Sequence, residues 1–380
     1  MTDAAFYHEL IIFGGLLQWI ACMTRNYSLD FFRGVFAIVV ALGHFYYWNN
    51  VGDVIPSSFV LVVDFFFILS GYVLSRSIVF GGGSDSERWF SDFTKRRIYR
   101  IFPAFLFIVS VHFVFLKLVD GIPWPAALDV FKVVTLTQLF PFGDGSNYWV
   151  EPARVGWSIS GEFWVGLLFF PIIHALRNSN RGLLISSMAL ISLVLVVFIS
   201  RTSPSQMNVH FQQWNGLPFG FVRVIIGFCI GVFIALTVSS SKADWMVSSM
   251  IQVGVLFIGV YLFAKLNWNR SDSYLAPFLG GALVWSLAKE EGVIFRLTNN
   301  WLGDVLGRMS YSIYLAHPAF VLYFRSHWST SGLSVIAYIF MVFGSAYLVH
   351  TFVEQPAIDY IGRKQRAGRN AGLAAGAQST

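Results

Sequence analysis

The sequence contains few charged residues and almost no cysteine. Charged side chains make up 12% of the 380 residues, about half the share found in a soluble domain, so the chain cannot cover a water-exposed surface of ordinary size. Cys22 and Cys229 both have apolar neighbours, so neither a disulfide framework nor a cysteine metal site is implied. The sequence also lacks His-Glu-x-x-His, Gly-x-Ser-x-Gly, Gly-Lys-Ser/Thr and dinucleotide-binding patterns. No metal is therefore predicted.

Apolar residues dominate what is present. Hydrophobic residues make up 56% of the chain and aromatic residues 18%, and the mean hydropathy is +0.63. The net charge of +6 comes from cations at the ends of apolar runs, which is a signal of membrane topology rather than of nucleic-acid binding. The composition predicts an all-α, polytopic integral membrane bundle in a lipid bilayer, with no nucleic-acid partner.

About ten apolar runs approach the ~20 residues that a bilayer requires. The basic loop between the second and third runs, from Arg76 to Arg100, should be cytoplasmic by the positive-inside rule. If the chain crosses the membrane at each following span, the other clusters of Lys and Arg also fall on the cytoplasmic side. Both ends of the ten-span core are then expected inside the cell. The predicted spans are approximately residues 31–50, 57–76, 98–119, 157–176, 183–200, 217–237, 247–264, 274–288, 305–325 and 333–353.

Three segments lie outside this count. Residues 1–26 form an N-terminal extension, either an extra or interfacial helix or a stretch upstream of a true start at Met23. Residues 128–142 are apolar, but a span there would place Arg177 and Arg181 outside, so we expect a re-entrant or interfacial piece. Residues 357–380 are predicted to be a cytoplasmic tail, basic at first and then disordered. The domain itself covers residues 27–356.

Arg33 and His44 share one face of the first predicted span. Eleven residues separate them, which is within roughly 20° of three whole turns and corresponds to about 16 Å along the helix axis. Ionisable groups at such depth are costly in lipid. This face is therefore predicted to look into the protein and to be functional.

The third predicted span begins with further cations. Arg97 and Arg100 are three residues apart and neighbour each other on one helix face. With Arg33, they would place three guanidinium groups at one depth, a plausible seat for phosphates. The alternative is that these arginines only set the topology and touch lipid head groups.

Two carboxylates are expected near His44. Asp64 in the second span and Glu162 in the fourth both fall in the outer half of the bundle under this topology. An imidazole near carboxylates is the arrangement used to abstract a proton and then carry positive charge. The alternative is that both carboxylates brace pairs of helices.

Further polar side chains mark the fourth and ninth spans. Tyr311, Tyr314 and His317 follow one another at intervals of three, so they can line one side of a helix, although packing alone would also explain the tyrosines. Trp157 and Ser160 open the fourth span beside Glu162.

Together these residues resemble the membrane acyltransferase-3 family, whose bacterial members acylate surface sugars and related acceptors. The resemblance extends from about Tyr27 to Pro356. It rests on six motifs in order: Leu29-Asp30 with Arg33 and His44; Asp64 to Gly71; Arg97-x-x-Arg100-Ile101-x-Pro103; Trp157 to Glu162; Ser310 to Pro318; and Glu354-x-Pro356.

The resemblance implies that Arg33 and His44 are the essential pair, with His44 as base, and that Arg97 and Arg100 help bind the acyl-CoA donor. Trp157, Ser160, Tyr311, Tyr314 and His317 are the expected substrate contacts. The implied location is the bacterial cytoplasmic (inner) membrane.

Two features depart from the family pattern. Members often carry a second acidic residue after the position of Glu162, where this chain has Phe163, so a mechanism that needs two carboxylates there is in doubt. The chain ends about 27 residues after the last span, without room for the extracytoplasmic hydrolase-like domain of some members. Either the protein transfers directly to its acceptor, or a separate extracytoplasmic transferase completes the transfer.

The sequence thus predicts an integral membrane O-acetyltransferase. It would move an acyl group from cytoplasmic acetyl-CoA to a hydroxyl of a surface polysaccharide or lipid-linked saccharide, with Asp64 or Glu162 orienting His44. A covalent acyl-histidine is the second route. The rival function is a transporter or flippase with a proton path of Asp64, Glu162, His44 and His317, and a third is a structural assembly partner. The acceptor and the oligomeric state stay open.

Overall fold

The computed structural model is a bundle of α-helices. It describes residues 25–49, 55–79, 89–140, 155–177, 180–204, 206–207, 209, 211–238, 244–265, 271–328 and 331–378. Most of the predicted N-terminal extension, which ends at residue 26, lies outside the described residues.

The helices are numbered in chain order. They are α1 (Tyr27–Trp48), α2 (Val63–Val79), α3 (Trp89–Asp120), α4 (Ala127–Thr135), α5 (Gly156–Leu176), α6 (Arg181–Thr202), α7 (Phe219–Thr237), α8 (Trp245–Lys265), α9 (Ala276–Leu287), α10 (Val293–Thr298), α11 (Trp301–His327), α12 (Gly332–Val349) and α13 (Gln355–Gln378). Short 3-10 turns precede α2 (Ser57–Val62) and α9 (Ser271–Leu275), and β1 (Gln213–Trp214) pairs with β2 (Leu217–Pro218) in an antiparallel hairpin.

Polar residues just before several helices define where they begin. The side chains of Asn26, Asn180 and Asn300 accept backbone N–H groups in the first turns of α1, α6 and α11. Ser331 forms a capping box with Ser334 at the start of α12. These caps satisfy N–H groups that a helix leaves without partners at its N-terminus.

Eight helices among the described residues are long and apolar enough to cross a membrane, so the protein is an all-α polytopic membrane bundle, as predicted. Two of the ten predicted spans fall short. The eighth is α9, which has 12 residues and is about 18 Å long. The ninth is α11, which is long enough at 27 residues but carries many polar side chains. The count of ten remains a prediction.

Helices α1 and α11 pack side by side and run in the same direction. Arg33 contacts Ser310 and, further along both helices, His44 contacts His317. Helices α2 and α7 form a second parallel pair, in which Asp64 contacts Arg223. A Cβ atom on Gly231 would collide with the backbone of α2, so glycine permits this close approach.

Helices α3 and α5 are antiparallel and joined by stacked rings. The ring of Trp89 stacks on that of His174 at 3.8 Å and the ring of Phe93 on that of Phe170 at 3.8 Å. Following this pairing along both helices, α5 begins beside Phe105, roughly halfway along α3. The start of α5 is therefore about 22 Å short of the end of α3.

Helix α4 leads back along this uncovered half of α3. The indole Nε1 of Trp164 donates to the carbonyl oxygen of Leu136 at 2.9 Å, and the backbone N–H of Leu139 donates to Ser160. Residues 136–139 therefore lie against the first part of α5. The re-entrant or interfacial placement of residues 128–142 stays a prediction, and residues 141 and 142 lie outside the described part of the chain.

The last helix pair is joined by a π-helical turn (His350–Glu354). Buried Glu354 accepts hydrogen bonds from Ser312 at 2.7 Å and from Nδ1 of His350 at 3.1 Å. Beyond it, α13 packs on α3, where Gln365 donates to the carbonyl oxygen of Asp92 and accepts from Arg96, each at 2.9 Å. The helix continues to Gln378, which differs from the predicted disorder. Its end is rich in alanine, the strongest helix former.

Candidate functional site

A cavity of about 500 Å³ lies between α1, α2, α3, α5, α11 and α13. This volume is within the range of small-molecule and cofactor sites. The polar side chains that line it are Arg33, Ser70, Ser77, Arg96, Arg97, Arg100, Ser158, Glu162, Ser310, Tyr311 and Tyr314. The three arginines predicted to form one site are thus brought together in one cavity.

Arg33 is held in place by α11. Its Nε donates to Ser310 Oγ at 2.8 Å and its Nη2 to the carbonyl oxygen of Gly307. Its Nη2 also lies 3.0 Å from Oδ1 of Asp30, a carboxylate that is itself buried. The guanidinium is therefore fixed in orientation, which favours recognition of a phosphate in one geometry.

Arg97 lies on the opposite wall, against α5. Its Nη2 donates to the carbonyl oxygen of Glu162 at 2.7 Å and to Oε1 of the same residue at 3.3 Å. Ser70 donates to that Oε1 at 2.8 Å. Within the described residues, Nε of Arg97 is buried without a hydrogen-bond partner, and Gly166 leaves the space that the guanidinium fills. Nε of Arg97 is therefore a hydrogen-bond donor that no described protein group uses.

The histidine predicted as base has another histidine as its partner. Nε2 of His317 and Nδ1 of His44 are 3.1 Å apart, and the two rings stack at 5.0 Å with 16° between their planes. His317 is 0% exposed. His44 also packs against Trp48 and Phe59. Contact with His317 engages Nδ1 of His44 and holds the imidazole ring in one orientation.

The two carboxylates expected beside His44 lie elsewhere, which corrects their predicted placement. Asp64 is 1% exposed and accepts from Nη2 of Arg223 at 2.9 Å and Nε at 3.2 Å. Glu162 faces the arginines instead of the histidines. Its depth was misjudged because α5 does not begin at the same level as the other helices, and the partner of Asp64 comes from a helix 159 residues away in sequence.

The tyrosines of α11 connect the arginines to the histidines. Tyr311 donates to the carbonyl oxygen of Ile101 at 2.9 Å. Tyr314 lies one turn further, with its hydroxyl 2.7 Å from Ser158 Oγ and 3.2 Å from the carbonyl oxygen of Val155. Both tyrosines line the cavity, and the ring of Tyr314 is 5.6 Å from that of His317.

The two remaining predicted substrate contacts have structural neighbours. Ser160 accepts from the backbone of Leu139 at 3.4 Å. The ring of Trp157 packs on Phe67 and lies 5.5 Å beneath the guanidinium of Arg223. Neither residue is among those that line the cavity.

Sequence reasoning missed Arg223 and the roles of Ser70 and Ser310. A signal for Arg223 is present, since it is the one cation in the apolar run from Phe219 to Thr237, and a charge inside a span requires a partner. The two serines carry no such signal, because serine is common in helix interfaces of membrane proteins.

The sequence of this chain matches one family model and several known proteins. A family model described as "Acyltransferase domain" (Acyl_transf_3) matches residues 26–352. The chain is 24% identical over 321 residues to the O-acetyltransferase OatA of Staphylococcus aureus strain NCTC 8325, covering 78% of this chain and 52% of that protein. It is 23% identical over 318 residues to a putative O-acetyltransferase of Staphylococcus aureus strain COL, with the same coverage. The chain thus spans about half the length of these relatives. No solved structure matches.

Proposed function

Since this chain belongs to the membrane acyltransferase-3 family, we propose that it is an integral membrane O-acetyltransferase that uses acetyl-CoA. The acceptor is a hydroxyl group of a surface polysaccharide or lipid-linked saccharide. The observation that carries the proposal is the cavity lined by Arg33, Arg97 and Arg100, which extends to Tyr314, one turn of α11 below the histidine pair. The relatives named as O-acetyltransferases support acetyl as the group transferred.

The arginine end of the cavity would bind the phosphates of the donor. Arg33 lies on α1, and Arg97 and Arg100 lie one turn apart on α3, where Arg97 also contacts Glu162 of α5. The pantetheine arm, on the order of 15 to 20 Å long when extended, would run along α1, where Arg33 and His44 are ~16 Å apart along the axis. The thioester would then reach the histidines.

His44 would act as general base. Its imidazole takes the proton of the acceptor hydroxyl while the hydroxyl oxygen bonds to the acyl carbon. The carbon–sulfur bond then breaks, and the leaving thiolate takes the proton from His44. His317 would hold the imidazole in orientation, the task that the sequence assigned to Asp64 or Glu162. A covalent acyl-histidine is the alternative route.

The proposed orientation places the arginine end in the cytoplasm, where the donor is made, and the histidine end toward the outside of a bacterial inner membrane. This follows from the basic residues near the start of α3 and in α13. An acceptor sugar would then arrive from the outer side, directly or through a separate transferase.

Replacement of His44 by alanine tests the function. The His44→Ala protein is expected to insert and fold, and to release no CoA from acetyl-CoA in proteoliposomes supplied with a membrane glycan extract, whereas wild-type protein does. His327→Ala, at the far end of α11, is the matched control and should keep activity. Mass spectrometry of surface glycans should show the loss of acetyl groups.

Two outcomes would overturn the proposal. Wild-type acetylation by His44→Ala would remove the histidine mechanism. Absence of CoA release by folded wild-type protein would favour the transporter alternative, because a transporter consumes no acetyl-CoA.

A further inference from the structure

One end of the cavity is lined by a layer of three side chains from three helices. Phe66 of α2, Ser158 of α5 and Tyr314 of α11 all line the cavity, and we call them the aromatic layer. The rings of Phe66 and Tyr314 are 6.2 Å apart, and the Tyr314 hydroxyl lies 2.7 Å from Ser158 Oγ. Because its two hydroxyls contact each other, the layer presents a mainly apolar surface. The next residues in sequence that also line the cavity are Phe67 and Ile159.

One helical turn away, the same three helices form a polar layer. It consists of Ser70, Glu162 and Ser310, each four residues from its counterpart in the aromatic layer, which is about 6 Å along a helix axis. Ser70 and Arg97 contact Glu162, and Arg33 contacts Ser310. The arginines therefore lie on one side of the aromatic layer.

The histidine pair lies on the other side of the aromatic layer. On α11, His317 is three residues beyond Tyr314 in the direction away from the polar layer, and the two rings are 5.6 Å apart. On the chain that leads into α2, Phe59 is seven residues before Phe66, and its ring is 5.0 Å from that of His44. The aromatic layer therefore separates the arginines from the histidines.

We propose that the ring of Phe66 limits the length of the acyl chain and thereby selects acetyl over longer acyl groups. This inference rests on the proposed function, which places the thioester between the arginines and the histidines. Protein interiors are closely packed, so each methylene added to the acyl group has to displace a neighbouring side chain. Because the Tyr314 hydroxyl also braces α5 through Ser158, Phe66 is the member of the layer that acts through its size alone.

Phe66→Ala and Phe66→Leu test the proposal, because each shortens the side chain without adding a polar group. The measurement is kcat/KM for CoA release from acetyl-CoA and from butyryl-CoA, with a membrane glycan extract as acceptor. Butyryl carries two further methylenes, each of which costs about tenfold or more in a restricted pocket, so wild-type protein should prefer acetyl-CoA by about 100-fold. Phe66→Ala should reduce this preference by about tenfold. Phe66→Leu, the milder change, should shift it in the same direction.

Phe65→Ala is the matched control on the same helix. Phe65 is 2% exposed, packs on the ring of Phe36 at 4.8 Å, and is not among the residues that line the cavity. Its replacement should lower the melting temperature through lost packing. The preference for acetyl-CoA, which is a ratio and does not depend on the amount of folded protein, should stay at the wild-type value.

The outcomes separate this inference from the proposed function. Equal use of the two donors by wild-type protein, or an unchanged preference in both Phe66 variants, would overturn the length limit, while the release of CoA would leave the proposed function intact. An equal loss of preference in Phe65→Ala would show a general loosening of the bundle and would also overturn the role of Phe66. If folded wild-type protein releases no CoA from either donor, the proposed function fails and the inference fails with it.

Discussion

Asp64 and Arg223 form a buried ion pair between α2 and α7. They are 1% and 2% exposed, and the guanidinium also lies over the ring of Trp157. Removing one member of a buried pair strands the other charge in an apolar interior and costs about 3–5 kcal/mol. Asp64→Asn is therefore expected to lower the free energy of unfolding by that amount, measured by denaturation in detergent micelles.

Asp304 offers the control for this prediction. It pairs with Arg25 and Arg308, both of which are more than two-fifths exposed. Because surface pairs contribute about 0–1 kcal/mol, Asp304→Asn should have a small effect. Equal stability losses in the two variants would show that burial of the Asp64 pair does not matter.

Gly166 sets the space available to the guanidinium of Arg97. A Cβ atom there would lie 2.7 Å from Cζ of Arg97, so Gly166→Ala should displace the cation from the cavity. We expect the KM for acetyl-CoA to rise about tenfold, which corresponds to about 1.4 kcal/mol, with little change in kcat. Gly254→Ala on α8 has open space around its Cβ and should leave the KM unchanged. An unaltered KM in Gly166→Ala would argue against Arg97 as a donor contact.

Sequence predicted that the three arginines lie together better than it predicted the partners of His44 and Asp64. Arg33, Arg97 and Arg100 converge in one cavity because helix periodicity and the positive-inside rule fix both face and depth. The partners of His44 and Asp64 could not be predicted, since they depend on which distant helices are neighbours. Glu162 was placed too near His44 because residue counting assumes that every helix starts at the membrane surface.

At the scale of elements, α13 forms one wall of the cavity in which we propose that the donor binds. Ile358, Ile361 and Gly362 line it, and Gln365 joins α13 to α3. Gly362 lines the cavity, and a Cβ atom there meets nothing within 4 Å, so we expect a large side chain at this position to occupy part of the cavity. Gly362→Trp is expected to weaken acetyl-CoA binding at least tenfold, measured by titration of the purified protein.

Gly368→Trp provides the comparison on the same helix. Gly368 also has open space around its Cβ and is not among the cavity-lining residues. Both variants replace glycine by tryptophan, so the change in helix propensity is the same in the two proteins. Equal binding by the two proteins would show that α13 does not bound the donor site.

The long apolar helices were predictable because their hydropathy is continuous over a membrane thickness. Helices α1, α2, α6, α7 and α8 overlap the predicted spans closely. The extent of α3 and α13 was harder to predict. Helix α3 begins well before the apolar run predicted at residues 98–119, and a π-turn continues the chain from α12 into α13 beyond the last predicted span. Tertiary contacts, which hydropathy does not report, set these ends.

At the scale of the whole molecule, two basic regions lie at one end of the bundle. Arg96, near the start of α3, contacts Gln365 of α13, and both segments are rich in Lys and Arg. By the positive-inside rule we expect this end to be cytoplasmic. A fluorescent protein that folds only in the cytoplasm should therefore fluoresce when it is fused after Thr380. An enzyme reporter that is active only outside the cytoplasm should be inactive at the same position.

A truncation after Lys265, the last residue of α8, is the reference for this topology, because this end of α8 is expected outside the cytoplasm. The same pair of reporters should give the reversed result there. A fusion after Thr380 that is active outside the cell would invert the proposed orientation and with it the side from which acetyl-CoA enters.

The short reach of α5 has a consequence for permeability. Because α5 starts about 22 Å short of the end of α3, the proposed orientation would place the inner end of the polar cavity deep in the bilayer, and the insulating layer between the two compartments would be thinner there. An acetyl group attached to CoA could then be transferred across that layer without a movement of the helices. The barrier to ions would then depend on the aromatic side chains packed around His44, Trp48 and Phe59, and alternating access by rocking halves would be unnecessary.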